Sequence, residues 1–173
     1  MEGVRTLNRF RLFLLWLPLL LLLPACYHLR IDAEPIIPRT FTIKESSPSA
    51  MRRIRGLVEN RWRQRILADD GAGTAMITTP YHFATDTGFG QPAGGRKYYT
   101  QLRIEVRQID DHTQVTISPH NYEIRTSYAY GEEGQVRTMY KHYPYQKYPG
   151  MFDLVPLTKE LDRVASVMKS LFL

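Results

Sequence analysis

The side chains that could perform chemistry in this sequence are five histidines, two pairs of adjacent aspartates and a single cysteine. The histidines are His28, His82, His112, His120 and His142. They show neither the i, i+4 helical spacing nor the neighbouring cysteines of a zinc site. Both aspartate pairs, at 69–70 and 110–111, fall in predicted turns, where aspartate is favoured for backbone reasons. We therefore predict a non-enzymatic protein with no catalytic residue, metal or cofactor; a hydrolase that uses His82, His120 or His142 is the alternative.

The only cysteine, Cys26, follows a basic start and a run of apolar residues. Three arginines precede residue 12, and residues 12–23 are almost wholly apolar. This run is shorter than the roughly 20 residues that cross a bilayer, and Pro18 interrupts it. Residues 1–25 are thus predicted to form a secretory signal peptide that is removed. An uncleaved anchor helix is the alternative.

The sequence Leu23-Pro24-Ala25-Cys26 resembles the bacterial lipobox, the signal-peptidase recognition motif of lipoproteins. The resemblance implies that the signal is cut before Cys26 and that this residue is lipidated, so that the chain is attached to a membrane without spanning it. A plain signal peptide followed by a free thiol is the alternative, but an unpaired cysteine is unfavourable in an oxidising compartment. Because Tyr27 rather than aspartate follows the cysteine, the resemblance favours the outer membrane, at its periplasmic face or at the cell surface.

Composition sets further limits on the partners. Removal of residues 1–25 would leave 20 basic and 16 acidic side chains, a mild excess of positive charge. A secreted lipoprotein does not meet nucleic acid, so we expect the membrane and other envelope proteins as partners. Residues 26–47, which contain Pro35 and Pro38, are predicted to be a lipidated, flexible tether. Residues 48–173 are then long enough for a single domain.

Hydrophobic periodicity predicts the elements of that domain. Apolar residues at helical spacing predict a helix from Ser47 to about Asn60, and alternation predicts strands over 62–67, 74–79, 97–109 and 113–128, the last with a bulge or an edge position at Pro119. The glycine-rich segment 81–96 and the aperiodic segment 129–156 are predicted to be loops. A closing amphipathic helix covers 157–171. The predicted fold class is α+β: a two-layer domain in the order αββββα, with two helices on one face of a four-stranded antiparallel sheet.

This order of elements, with G-T-A-M-I-T-T and Y-T-Q-L-R-I-E-V…H-T-Q-V-T-I in the strands, resembles a helix-grip domain. It is similar to the domains of the third lipoprotein of the outer-membrane β-barrel assembly machinery, over about residues 48–172. That family has two such domains, whereas this chain has room for one, and the family's N-terminal contact segment does not align with residues 27–47. The resemblance therefore implies an envelope lipoprotein and carries over no partner and no binding residue.

Two surfaces are candidates for binding. The first is the arginine-dense stretch 52–65, which could face anionic lipid or an acidic partner, or could simply be a solvated face. The second is a tyrosine-rich segment, because tyrosine is enriched in binding hot spots. Its candidate contact residues are Tyr130, Tyr140, Tyr143, Tyr145 and Tyr148.

The sequence thus favours an outer-membrane-anchored binding or scaffold module of the bacterial envelope. The alternative is a periplasmic lipoprotein that binds a small ligand in a cavity lined by Trp62, Tyr98 and Tyr122.

Overall fold

The fold is built around two long antiparallel strands that form the middle of a twisted sheet. In the computed structural model, which describes residues 32–86, 96–130 and 137–173, these are β5 (Arg96–Ile109) and β6 (His112–Tyr130), joined by a tight turn at Asp110-Asp111. Five shorter strands pair with them or extend the sheet. They are β1 (Arg39–Ile43), β2 (Ile66–Asp69), β3 (Ala75–Thr78), β4 (Tyr81–Asp86) and β7 (Arg137–Pro144).

Each long strand has two different neighbours along its length. The carboxyl-terminal half of β5 pairs with β3, and its amino-terminal half pairs with β4. The first half of β6 pairs with β1, and its second half pairs with β7. At one end the sheet therefore has the order β1-β6-β5-β3-β2, and at the other end β4 and β7 flank the central pair.

Two helices supply the second layer. Helix α1 (Ser47–Gly56) continues into a π-helical turn, Leu57–Arg61, and α2 (Val155–Ser170) closes the chain after a 3-10 turn, Pro149–Met151. Their apolar side chains pack with alternate residues of the strands into one core. Within the part of the chain that the structure describes, no helix is long and apolar enough to cross a membrane.

The predicted four-stranded sheet is wrong: the described residues form seven strands, all paired antiparallel. The three strands that the sequence did not predict are β1, β4 and β7. Each is short, and each has a neighbour on one side only, so its stability comes from pairing with β5 or β6 more than from its own residues. The strand predicted from residue 62 begins at Ile66.

These strands also correct the predicted segments. β1 lies inside the predicted tether 26–47, so the folded domain begins before residue 48. β4 occupies the start of the predicted loop 81–96; residues 87–95 lie outside the described residues. Most of the predicted loop 129–156 consists of the end of β6, the strand β7 and the 3-10 turn.

Other predictions are confirmed. Strand β5 matches its predicted bounds within one residue, and its core-facing positions from Tyr98 to Val106 are buried. A bulge interrupts β6 at the predicted place, because Leu102 pairs with Pro119 and Gln101 pairs with Asn121, which leaves His120 unpaired. The closing helix α2 also lies where the apolar spacing placed it.

Candidate functional site

The open face of the sheet, opposite the helices, carries a cluster of polar and aromatic side chains at the end where β4, β5, β6 and β7 lie side by side. In register, His82 of β4 pairs with Tyr99 of β5, and Tyr99 pairs with Glu123 of β6. Two residues further along β6, Arg125 pairs with His142 of β7. Since Tyr98, Tyr122 and Ile124 point into the core, their alternating neighbours point away from it. We call these five residues, 82, 99, 123, 125 and 142, the open-face cluster.

Glu123 and Arg125 hold the centre of the cluster in one arrangement. The Nε of Arg125 donates a hydrogen bond to Oε1 of Glu123 at 2.7 Å, and the two groups form an ion pair. The guanidinium also lies 4.0 Å from the centre of the Tyr99 ring, which is a cation–π contact. Only 13% of the Glu123 side chain is exposed, so this pair is shielded more than an ordinary surface ion pair.

The two histidines flank this centre. Nδ1 of His142 lies 3.7 Å from Oε2 of Glu123, so a protonated His142 would share the carboxylate with Arg125. On the other side, the His82 ring lies 5.4 Å from the Tyr99 ring, and its Nε2 is 2.8 Å from Oγ1 of Thr85. The cluster therefore spans four strands, about 14 Å at the usual strand spacing.

This arrangement suits binding more than chemistry. The charged groups already have partners, and the aromatic rings offer rigid contact area that loses little conformational entropy on association. Small-substrate sites are usually concave, whereas this cluster lies on the face of a sheet. Among the described residues, no group of three or more metal-ligating side chains is arranged to hold a metal ion.

The five predicted contact tyrosines are divided between different environments. Tyr140 is 74% exposed and lies on the open face, since it pairs with Ser127, two residues beyond Arg125. Tyr143 lies on the other face of β7, where its ring meets that of Tyr148 at 5.4 Å. Tyr145 is buried, 3% exposed. Tyr130 ends β6, but its side chain falls outside the described residues.

The predicted lipidation site and the residues that would be recognised by the signal peptidase are not described by the structure. Leu23, Pro24, Ala25 and Cys26 all lie before residue 32, outside the described residues, so the anchor stays a prediction. Of the three histidines in the alternative hydrolase hypothesis, His82 and His142 belong to the open-face cluster, whereas His120 is exposed at the bulge of β6.

Two of the three residues predicted to line a ligand cavity, Tyr98 and Tyr122, lie in an aromatic part of the core; Trp62 has no ring contact with either among the described residues. The Tyr122 ring contacts the rings of Phe83, Tyr98, Tyr145 and Phe152 at centroid distances of 4.7–6.0 Å. Its hydroxyl donates to the backbone carbonyl of Asp153 at 2.9 Å. The space around Tyr122 is therefore occupied by other side chains, and burial raises the pKa of its phenol.

A cleft does exist elsewhere between helix and sheet. It lies between β4 and the first turns of α2 and has a volume of about 350 Å³. Its lining residues are Phe83, Ala84, Val155, Pro156, Lys159, Glu160 and Arg163. Glu160 is buried there, and its carboxylate accepts hydrogen bonds from two side chains. The hydroxyl of Tyr81 donates at 2.8 Å, and the guanidinium of Arg163 donates two bonds, at 2.7 and 2.8 Å. Burial is the main reason that the pKa of Tyr81 is raised.

Sequence reasoning did not identify the open-face cluster. The alternation of β5 placed Tyr99 on the wet face, and His142 lay in the tyrosine-rich segment, but neither fact joins them to Glu123 and Arg125. The missing information was register, because only the pairing of β4 and β7 with the central strands brings the two predicted loop regions to one surface.

Comparisons with known proteins give little further information. No protein-family model matches the chain, and no curated protein matches it. Nine chains among solved structures match. One is the crystal structure of a DUF4468 family protein from Bacteroides ovatus, with 12% identity and a TM-score of 0.34, over 82% of this chain and 86% of that chain. A likeness at this level carries no argument about function.

Proposed function

We propose that this protein is a lipid-anchored component of the bacterial outer membrane that binds another envelope protein and catalyses no reaction. The proposal for the anchor is supported by the basic start, the apolar run of residues 12–23 and the lipobox-like sequence that ends at Cys26. Acyl chains on that cysteine would attach the domain stably, since two or more chains give a lasting anchor whereas one does not.

The observation that supports protein binding is the ion pair between Glu123 and Arg125. An ion pair on an open sheet face is normally well solvated and contributes little, but this one is shielded and is braced by the Tyr99 ring. The groups are therefore already held in place before any partner arrives, and pre-organisation reduces the entropic cost of binding. Tyr140 and His142 extend the same surface towards solvent.

The anchor is tested by replacing its cysteine. Cys26→Ser should abolish incorporation of labelled palmitate and leave an unprocessed precursor, whereas Tyr27→Phe, one residue further on, should be processed and acylated normally. A Cys26→Ser protein that is cleaved as usual and remains in the membrane fraction would refute lipid anchoring.

The binding surface is tested by site-specific photo-crosslinking in native envelopes. A photoreactive residue at Tyr140 should give a discrete adduct with one envelope protein, and the same residue at Ile109, exposed at the β5–β6 turn, should not. Arg125→Ala should weaken the adduct at least several-fold, while Arg107→Ala, on the same face but at the far end of β5, should leave it intact. Equal adducts from positions 109 and 140 would overturn the proposal.

The cleft between β4 and α2 favours a second candidate, the binding of a small ligand. Its volume falls within the range of ligand pockets, and it combines the apolar Phe83 and Val155 with the cation of Lys159. Native mass spectrometry of protein purified from its envelope should then show a bound molecule that Ala84→Trp, which fills the cleft, displaces. A ligand-free wild-type protein would count against this candidate.

A further inference from the structure

The connection between α1 and β2 presents a row of exposed side chains. From residue 61 to residue 67, exposed positions alternate with half-buried ones. The exposed positions are Arg61, Arg63, Arg65 and Leu67, and the half-buried positions between them are Trp62, Gln64 and Ile66. We call residues 61, 63 and 65 the arginine row; Leu67, which is 54% exposed, follows it at the irregularity in the pairing of β2 between Ile66 and Ala68.

The guanidinium groups of the row differ from those of Arg53 and Arg55 in the preceding helix, because they have no acidic neighbour among the described residues. Arg53 pairs with Glu45, and Arg55 pairs with Asp69 at 2.9 Å and with Glu59. In contrast, the side chains of the arginine row have no hydrogen bond or ion pair with any residue in the described ranges. Three positive charges therefore lie within five residues of sequence, all exposed, with no carboxylate partner among the described residues.

The backbone of Arg63 adds a second observation. Its φ is +54°, in the left-handed region that glycine adopts readily and that costs other residues about 1–2 kcal/mol. Glycine is the usual residue where a helix ends in this conformation. An arginine that occupies such a position despite its cost points to a use for its side chain.

We propose that the arginine row and Leu67 form a contact surface for an anionic phospholipid membrane. Guanidinium groups bind phosphate oxygens in a bidentate fashion, and a basic segment gains affinity from the negative surface potential of a bilayer. The exposed leucine distinguishes a membrane from a free phosphate or a polyanion, because only the membrane offers apolar depth beside the phosphate layer. Trp62, between Arg61 and Arg63, packs against the core and keeps part of its side chain exposed beside the row.

The surface can reach the bilayer if the chain is anchored as proposed above; the inference rests on that function for its biological setting. Residue 26 is eight positions before Glu34, whose carbonyl is hydrogen-bonded to Tyr145, so the intervening chain spans at most about 28 Å. Four strand spacings, about 19 Å, separate β1 from β2 across the sheet. This distance is shorter than the maximum span of the chain between residues 26 and 34, so the anchor leaves room for the β2 end of the sheet to approach the bilayer.

The test uses Trp62 as its own reporter. The sequence has two tryptophans, Trp16 and Trp62, so a Trp16→Phe background leaves one, whether or not the leader is removed. The full-length gene is expressed, and the purified product is inserted into vesicles of brominated phosphatidylglycerol or brominated phosphatidylcholine. Bromine quenches tryptophan fluorescence only at short range. We expect quenching to be at least about twofold stronger in phosphatidylglycerol, and to fall when salt is raised to molar concentration.

A matched pair of variants isolates the row. Changing Arg61, Arg63 and Arg65 to Gln should reduce quenching in phosphatidylglycerol to the phosphatidylcholine level. Changing Lys44, Arg107 and Lys169 to Gln removes the same charge from other exposed positions and should leave quenching unchanged. Thermal unfolding of both variants shows whether the fold is retained.

The outcomes separate this inference from the proposed anchor. Equal quenching in the two lipids, or equal loss in the two triple variants, would overturn the membrane contact even in a protein that carries its acyl chains. Conversely, an unacylated wild-type protein whose quenching still depends on phosphatidylglycerol and on the arginine row would refute the anchor and leave the contact surface standing.

Discussion

The hydroxyl of Tyr145 donates a hydrogen bond to the backbone carbonyl of Glu34 at 3.0 Å, across 111 residues of sequence. The amide of Tyr145 in turn donates to the carbonyl of Tyr122 at 2.8 Å, so the ring is fixed at the end of β7. Ile36, two residues after Glu34, packs against the core. The segment that leads into β1 therefore belongs to the folded domain, and this shortens the stretch that could act as a flexible tether.

Replacing Tyr145 with phenylalanine should loosen this segment without disturbing the core. The ring is 3% exposed and would stay in place, but the carbonyl of Glu34 would lose its donor. We expect a loss of about 1 kcal/mol in the free energy of unfolding. Hydrogen exchange at the amides of β1, the strand that this segment leads into and that pairs with β6, should become faster, as measured by mass spectrometry.

Tyr140→Phe is the control, because that side chain is 74% exposed and no hydrogen bond of its hydroxyl is present among the described residues. Unchanged exchange in β1 in Tyr145→Phe would show that the hydrogen bond does not hold the segment.

The sequence predicts those parts of this fold whose pattern is long, and misses those that depend on a neighbour. Strand β5 shows alternation over most of its 14 residues, and α2 repeats its apolar positions over four turns, so both were predictable. β1 has only five residues and follows two prolines, which favour a linker. β4 runs into a glycine-rich segment that dominated its prediction.

The candidate site was harder to predict than the fold, because it depends on register. One unpaired residue, His120, shifts the second half of β6 relative to β5. Without that bulge the alternation would bring Tyr122 rather than Glu123 to the open face beside Tyr99. A local sequence pattern does not predict which residues pair across the strands. The contact between Arg125 and Tyr99 could therefore not be derived from the sequence alone.

Tyr81→Phe should destabilise the domain by leaving the buried carboxylate of Glu160 with one donor fewer. We expect a loss of about 1–3 kcal/mol at neutral pH, measured by urea unfolding. The phenol has a raised pKa because it is buried and lies beside Glu160. Its contribution is therefore fully present below about pH 10, the usual tyrosine value, and decreases as the pH rises above that value.

The difference in free energy of unfolding between wild type and Tyr81→Phe should accordingly become smaller above pH 10. Tyr148→Phe, at a half-exposed ring, is the control and should show no such trend. A gap that stays constant from pH 7 to pH 11 would contradict the assignment of the effect to Tyr81.

Asp70 stabilises its turn at neutral pH, and this contribution is lost in acid. Its carboxylate accepts hydrogen bonds from the hydroxyl and the backbone amide of Thr74, which lower its pKa to about 2 from an ordinary value of 3.8. A depressed pKa means that the contribution is present above about pH 4 and is lost as the pH falls through 2. Asp70→Asn should therefore be less stable than wild type at pH 6, and the two should converge towards pH 2.

Asp32→Asn serves as the control for this comparison, because Asp32 is exposed and has no partner among the residues described. The thermal midpoints of wild type and both variants are measured at pH 2, 3, 4 and 6. If the midpoint of Asp70→Asn is as far below that of wild type at pH 2 as at pH 6, the carboxylate of Asp70 is not the source of the difference.

Arg63→Gly distinguishes the effect of residue 63 on the stability of the fold from the effect of its charge on membrane contact. Glycine relieves the left-handed conformation, worth about 1–2 kcal/mol, but adds chain entropy to the unfolded state, worth about 0.5–1 kcal/mol. We therefore expect a free energy of unfolding that is unchanged or raised by up to about 1.5 kcal/mol. At Arg65 the amide and carbonyl hydrogen-bond with Thr79 in a conformation that needs no glycine, so Arg65→Gly should be destabilising. Opposite signs for these two changes, together with weaker Trp62 quenching in both, would show that Arg63 is kept for its charge; a strongly destabilised Arg63→Gly would show instead that its side chain supports the fold.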